Sequence, residues 1–379
     1  MARLILLLLA LALNAGAEPW VRLYGGEGDQ RATAVVASRG GGYFFTGATT
    51  RPGEERGDLW LVAVDEAGVL RWERQVGVKK RTVEGHDLVQ LQDGSVVVVG
   101  LVKDARKQKR PVAGLVKGVS PTGTDLWQME MDSLNPRCLL PLGDALYVAG
   151  GFQGQGGAWL GKLDPARRRW EWNQRFFCGD SASVGALALM DDTTLVMVGL
   201  RGAAGAFCAV VDTAGTLRHA YRTGTPHDLL RGVAVHGDTI TAVGGHTNRD
   251  FVGNRVYNDF ILRLDAQCRP LDSLRLSTRE VEILSAVQVD GATVMCAGLT
   301  ADDPSLVGAT AGIQLAAWDA SLKPLSRRRY AGLHYGAARD LLPLPDGWLV
   351  AGVAHREARD TNAQAVLFRV TRAELGPSR

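Results

Sequence analysis

The sequence predicts an all-β fold assembled from seven copies of one four-stranded unit, and three observations carry that reading. A short apolar run ending in glycine recurs seven times, closing at Gly47, Gly100, Gly150, Gly199, Gly244, Gly298 and Gly352, with spacings of 53, 50, 49, 45, 54 and 54 residues. The runs follow turn-forming pairs such as Asp93-Gly94, Gly143-Asp144 and Asp346-Gly347, the chemistry of a tight hairpin. Other apolar stretches flank every run, so one period of roughly 50 residues holds four short strands, the radial repeat of a β-propeller.

The first strand of a unit lies upstream of the turn, as in Ala32 to Ala37 or Leu229 to Val235, and the glycine-ended run is the second. The third follows, as in Leu59 to Val64 or Phe260 to Leu264, and commonly closes on an aspartate: Asp65, Asp164, Asp212, Asp265, Asp319. The fourth often carries tryptophan, as in Leu70 to Val76, Leu126 to Met131 and Trp170 to Phe176. Strands such as Asp58 to Val64 are apolar on both faces, which suits a blade covered on each side by a neighbour. The regular Trp20, Trp72, Trp127 and Trp170 are therefore expected to pack between blades.

The termini close the count. Trp20 to Gly25 reads as an outer fourth strand with no first three before it, and the last copy (Arg339 to Leu344, Trp348 to Val353, Ala365 to Val370) has three strands and lacks a fourth. A seven-bladed β-propeller of four-stranded antiparallel blades follows, closed by the N-terminal strand so that no open edge remains.

Residues 1–17 read as a signal peptide: Arg3, the apolar stretch Leu4 to Leu13, then Ala15-Gly16-Ala17 before a cleavage point at Glu18. The apolar stretch is short for a membrane span. Residues 18–371 form the propeller, 372–379 a short tail, and the product is expected in the periplasm or the medium. Composition agrees with a globular chain: 46% of its 379 residues are hydrophobic, and 46 are glycine without a collagen period. Lys and Arg (43) nearly balance Asp and Glu (40), so no chain-wide field points to nucleic acid or a membrane surface. The five cysteines are odd in number, widely spaced and without a CxxC motif, which indicates neither a disulfide framework nor a zinc site. Cys208 and Cys296, inside apolar runs, are expected to act as small hydrophobes.

The first copy, with W-V-R-L-Y-G-G from Trp20, G-G-Y-F-F-T-G from Gly41 and D-L-W-L-V-A-V-D from Asp58, resembles the propeller repeats of exported bacterial proteins. Gly150-Gly151 and Gly244-Gly245 resemble the double glycine of kelch repeats, and the spacing Asp65-x-x-Gly68-x-x-x-Trp72 resembles repeats of quinoprotein dehydrogenases and of the outer-membrane assembly propeller. The resemblance implies the fold and no single activity, since propellers host enzymes and scaffolds alike.

Strand order places the short turns on one face. The long connections Thr49 to Gly57, Val102 to Pro111, His246 to Asn258, Leu299 to Gly312 and His355 to Asn362 fall on the other, where binding is expected. Its sharpest feature is basic: Lys79, Lys80 and Arg81 on the crossing into the second blade, and Lys103, Arg106, Lys107, Lys109 and Arg110 on that blade's long loop. These eight are the candidate binding residues, set against the plainer reading of solvated loops. No aromatic residue is interleaved with them, which argues against nucleic acid. His86, His227, His246, His334 and His355 fall on the same face, with His86-Asp87 and His227-Asp228 pairing imidazole with carboxylate, but their offsets within the repeat differ. No nucleophile elbow, phosphate loop, HExxH or dinucleotide fingerprint occurs. The residues therefore assign no catalytic group, no metal and no cofactor. The expected function is noncatalytic recognition of an envelope protein or anionic glycan through the long-loop face, and the alternative is a hydrolase or lactonase-like enzyme at the channel mouth.

Overall fold

The computed structural model describes residues 19–54, 56–78, 81–104, 111–152, 156–177, 181–249, 255–278, 280–301, 311–330, 333–355 and 362–375. A first strand, β1 (Val21–Tyr24), precedes seven radial units. Blade 1 holds β2 (Gln30–Ala37), β3 (Tyr43–Thr50), β4 (Gly57–Val64) and β5 (Leu70–Val76). Blade 2 holds β6 (Arg81–Gln90), β7 (Val96–Asp104), β8 (Pro111–Val119) and β9 (Asp125–Asp132), and blade 3 β10 (Leu134–Leu142), β11 (Ala145–Phe152), β12 (Ala158–Asp164) and β13 (Arg169–Phe176). Blade 4 holds β14 (Ala182–Asp191), β15 (Thr194–Arg201), β16 (Ala206–Asp212) and β17 (Leu217–Arg222), and blade 5 β18 (Leu229–His236), β19 (Thr239–Arg249), β20 (Arg255–Asp265) and β21 (Pro270–Arg275). Blade 6 holds β22 (Val281–Asp290), β23 (Thr293–Ala301), β24 (Gly312–Asp319) and β25 (Pro324–Arg329). Blade 7 holds β26 (His334–Leu344), β27 (Gly347–His355) and β28 (Gln364–Thr371), completed by β1.

That completion follows the expected register: Val21 lies opposite Phe368 and Tyr24 opposite Ala365, antiparallel. Tyr24 also donates its hydroxyl hydrogen to the Gly68 carbonyl at 2.7 Å, and Trp20 Nε1 donates to the Glu66 carbonyl at 3.2 Å, so β1 ties blade 7 to blade 1. A single bridge between Gly151 and Ser183 links the sheets of blades 3 and 4.

The core is a set of apolar layers between neighbouring blades. Phe44, Leu59 and Leu61 of blade 1 pack on Val83, Val98 and Leu115 of blade 2, while Phe45, Trp60 and Val62 pack on Leu349, Ala351 and Leu367 of blade 7. Trp72 joins the first of these layers, Trp20 the second, and Trp127 and Trp170 the layer between blades 2 and 3. Each fully buried side chain of this size contributes about 1.5–3 kcal/mol. Cys208 and Cys296 are fully buried and free, as small core hydrophobes.

Two repeat motifs acquire causes. The aspartate that ends the third strand folds its side chain over the next turn: Asp65 Oδ1 accepts from the Ala67 and Val69 N–H groups at 2.9 and 2.8 Å, and Asp212, Asp265 and Asp319 do the same one blade after another. The blade glycine answers a bulge. Every inner strand carries an extra residue at one shared position, between Ala32 and Ala34, Gly85 and Asp87, Pro136 and Cys138, Val184 and Ala186, Leu230 and Gly232, Leu284 and Ala286, and Ala338 and Asp340, and β14 and β26 carry a second shift elsewhere. The bulge pushes a backbone carbonyl of the inner strand onto the second strand. A Cβ at any of the seven blade glycines would strike that carbonyl: Arg31 O at Gly47, Glu84 O at Gly100, Asn135 O at Gly150, and so around the ring.

Polar links join the inner strands near the bulges. Thr33 Oγ1 donates to the Gly85 carbonyl at 2.9 Å, His86 Nδ1 meets the Pro136 carbonyl at 2.6 Å, and Gln288 Nε2 donates to the Leu341 carbonyl at 3.1 Å. Asp87 accepts from Leu88 N and Leu139 N at 2.8 and 2.7 Å, and Asp340 from Leu341 N and Val35 N at 2.8 Å each. Enclosure by protein pushes the Asp87 carboxyl up to about 8, against those two hydrogen bonds and with the charge of Asp340 adding to the rise; Asp340 is raised in the same way. Enclosure, reinforced by the charge of Arg137, pushes His86 down to about 3.

The glycine constraint predicts that Gly199→Ala, which sets a methyl against the Ser183 carbonyl and 2.9 Å from Phe207 Cε1, lowers unfolding free energy in urea by at least about 2 kcal/mol. Gly26→Ala, with nothing near its Cβ, should change it little. The titrations predict a pH profile. Asp87 holds its proton to about pH 8 when folded and releases it near 3.8 when unfolded, so its contribution falls as pH rises through that window. His86, depressed from 6.5 to about 3, contributes the opposite slope between those values. The two oppose one another below pH 6.5, and above it the His86 slope is gone while that of Asp87 persists. Urea midpoints should therefore drop from pH 6.5 to pH 8, and Asp87→Asn should flatten that drop; an unchanged slope in the variant contradicts the assignment.

Candidate functional site

The seven bulge residues are Thr33, His86, Arg137, Gly185, Arg231, Ser285 and Arg339, one per blade, and all seven line both chambers of the central channel. They form its waist. Because a bulge turns one extra side chain out of the ladder, each inner strand delivers one residue to the axis at the same height. A chamber of about 550 Å³ lies on the side where inner strands begin, lined also by Arg31, Glu84, Lys103 and Leu230. Connections between second and third strands leave on that side, so this chamber opens on the long-loop face. A chamber of about 220 Å³ lies toward the short turns, with Asp87, Leu139, Val233, Gln288 and Asp340 in its wall.

The wide chamber is cationic. Glu84 accepts from Arg31 at 2.7 Å and from Lys103 at 2.6 Å. Burial works to raise the Glu84 carboxyl, but the two cations outweigh it and hold it below its usual value. Arg137, Arg231 and Arg339 have no carboxylate partner among the described residues. Enclosure lowers all three guanidinium pKa values; Arg231 falls to about 10, helped by the charges of Arg339 and Arg137. All remain charged at neutral pH, and they lie close enough together to repel.

The candidates from the sequence are distributed differently. Lys79, Lys80, Arg106, Lys107, Lys109 and Arg110 lie outside the described residues. Arg81 and Lys103 are not loop residues: they sit in β6 and β7, where Arg81 is opposite Asp104 and Lys103 opposite Thr82. Adjacent positions on a strand face opposite ways, so Lys103 reaches Glu84 in the channel while Arg81 reaches Glu130 at 3.6 Å. The connection expected from His246 to Asn258 is mostly strand, since β19 runs to Arg249 and β20 starts at Arg255. His246 is buried and meets the Leu276 carbonyl.

Neither neighbouring imidazole and carboxylate forms a pair. His86 is committed to the Pro136 carbonyl and Asp87 to backbone N–H groups, while Asp228 is held by both guanidinium nitrogens of Arg275 at 2.8 and 3.3 Å. An imidazole with a pKa of about 3 is too weak a base to serve at neutral pH. Among the described residues no group of three or more His, Cys, Asp or Glu side chains could hold a metal ion. The three arginines at the waist were missed by motif reading because they recur as a position, not as a residue type. The bulge residues stand thirteen or fourteen residues before each blade glycine, as from Arg137 to Gly150 and from His86 to Gly100. Aligning the seven copies on those glycines was the available signal.

No protein-family model matches the chain, and no curated protein matches it in sequence. Solved structures match its shape. The Pan2 WD40 domain of Neurospora crassa aligns with a TM-score of 0.59 at 9% identity, covering 93% of this chain and 92% of that domain. The Dos1 propeller aligns at 0.55 and 14% identity, over 92% of this chain and 86% of its own. A quinohemoprotein alcohol dehydrogenase from Comamonas testosteroni aligns at 0.50 and 11% identity, over 88% of this chain and 67% of its own. Likeness at such identities shows the fold alone, and with the seven radial sheets described above it establishes this chain as a β-propeller.

Proposed function

We propose that the protein is an exported, noncatalytic binding propeller that recognises its ligand on the long-loop face. The observation that carries this reading is the cationic chamber opening on that face, walled by Arg31, Lys103, Arg137, Arg231 and Arg339 against Glu84, the one carboxylate among its described lining residues. Rigid inner strands, and for Lys103 the second strand β7, hold these groups in place. The reading as an enzyme has less support, because the one histidine at the waist is neutral, engaged with a backbone carbonyl and without a carboxylate partner.

Export rests on the leader pattern of residues 1–17, and the partner class, an envelope protein or an anionic glycan, rests on the basic residues flanking the second blade. Lys103 belongs to the channel through Glu84, so the rim is tested without it. Replacing Arg106, Lys107, Lys109 and Arg110 by serine should weaken retention on an immobilised anionic polysaccharide and flatten its salt dependence. Melting temperature should change little, since the sequence reads this run as solvated charges, which contribute little to folding. Equal retention and equal salt response of the two proteins would remove the rim from the reading. Protein recovered from the periplasm or medium should begin at Glu18; an uncleaved chain confined to the cytosol would overturn export.

A further inference from the structure

We propose that the channel waist is a binding site for a small polyanion bearing two or more carboxylate or phosphate groups, gripped by Arg137, Arg231 and Arg339. This deepens the binding reading and rests on it for the face through which the ligand enters. The three arginines occupy the same bulge position in blades 3, 5 and 7, two, two and three blade steps apart around the axis. They therefore converge on one volume from three sides. A single monoanion can satisfy one or two such donors, whereas a molecule with several anionic groups can meet all three. Guanidinium groups also suit carboxylate and phosphate oxygens, because each offers paired donors in one plane.

Among the described residues no carboxylate pairs with them. Glu84, whose charge Arg137 feels, is already held between Arg31 and Lys103. Asp87 and Asp340 stand behind the same bulges in the narrow chamber, and every one of their carboxyl oxygens accepts a backbone N–H. Ser285 lines both chambers between Arg231 and Arg339 and adds a hydroxyl, and Gly185 adds no side chain between Arg137 and Arg231. Like charges enclosed together, without a partner, oppose folding. Such local conflicts are expected where a ligand resolves them. The chambers, about 550 and 220 Å³, match a small molecule and have no room for a folded partner.

The test is calorimetric titration of the full mature protein with citrate, with pyrophosphate, and with sulfate and acetate as simple ions. One polyanion, citrate or pyrophosphate, should bind with one-to-one stoichiometry at least tenfold more tightly than sulfate or acetate; which of the two binds identifies carboxylate or phosphate as the ligand chemistry. Arg231→Gln and, separately, Arg137→Gln should each weaken that binding at least tenfold. Both should melt no lower than the parent without ligand, because each relieves repulsion. Arg22→Gln, on the outer strand β1, should bind as the parent does. Equal affinity for polyanions and simple ions, or equal losses in Arg22→Gln and Arg231→Gln, would overturn the site. Loss of polyanion binding to the parent while the rim still retains anionic polysaccharide would refute this inference and leave the binding propeller standing.

Discussion

Everything in this molecule turns on the contact between the inner-strand bulge and the blade glycine. Seven strands crowd around one axis, and each accommodates the crowding by inserting one extra residue. The insertion moves a carbonyl toward the second strand, where only a residue without a Cβ fits: Arg31 O over Gly47, Ser183 O over Gly199, Ala337 O over Gly352. One steric event thus accounts for the most regular feature of the sequence and for the ring of side chains at the axis.

The same bulge couples neighbouring blades. Thr33 and His86 reach the carbonyl before the next blade's bulge, at Gly85 and Pro136, while Asp87 and Asp340 reach N–H groups just beyond it, at Leu139 and Val35. Apolar layers supply most of the stabilisation between blades, and these directional bonds set their angular register. Between blades 5 and 6 a different device is used: Asp259 and Glu282, both buried, share Arg327, and Gln314 donates to Asp259 at 2.8 Å. Burial raises Asp259 to about 6 in spite of Gln314 and Arg327, so that seam is an ionic one with its own sensitivity to pH.

Charge is arranged against this background. Acidic groups in the channel wall are consumed by structure, Glu84 by two cations and Asp87 and Asp340 by backbone donors. The arginines at the waist are not. Inside a channel walled by low-dielectric protein, such an imbalance is far stronger than it would be on an open surface.

Sequence by itself determined the architecture. Glycine spacing, turn pairs, strands apolar on both faces and the split last blade are local patterns, and each reflects a local cause: a tight turn, a missing Cβ, a surface covered on both sides. The site was legible only in part. Runs of basic residues stand out in a linear reading, so Lys103 and Arg81 read as one group, although strand alternation turns them to opposite faces. Arg137, Arg231 and Arg339 are scattered over about two hundred residues and sit beside unremarkable neighbours. Only ring closure brings them to one axis, and only the hydrogen bonds of Glu84, Asp87 and Asp340 decide that those carboxylates are spent elsewhere. Convergence of distant chain segments and competition for partners are properties of the assembled ring, which no local pattern encodes.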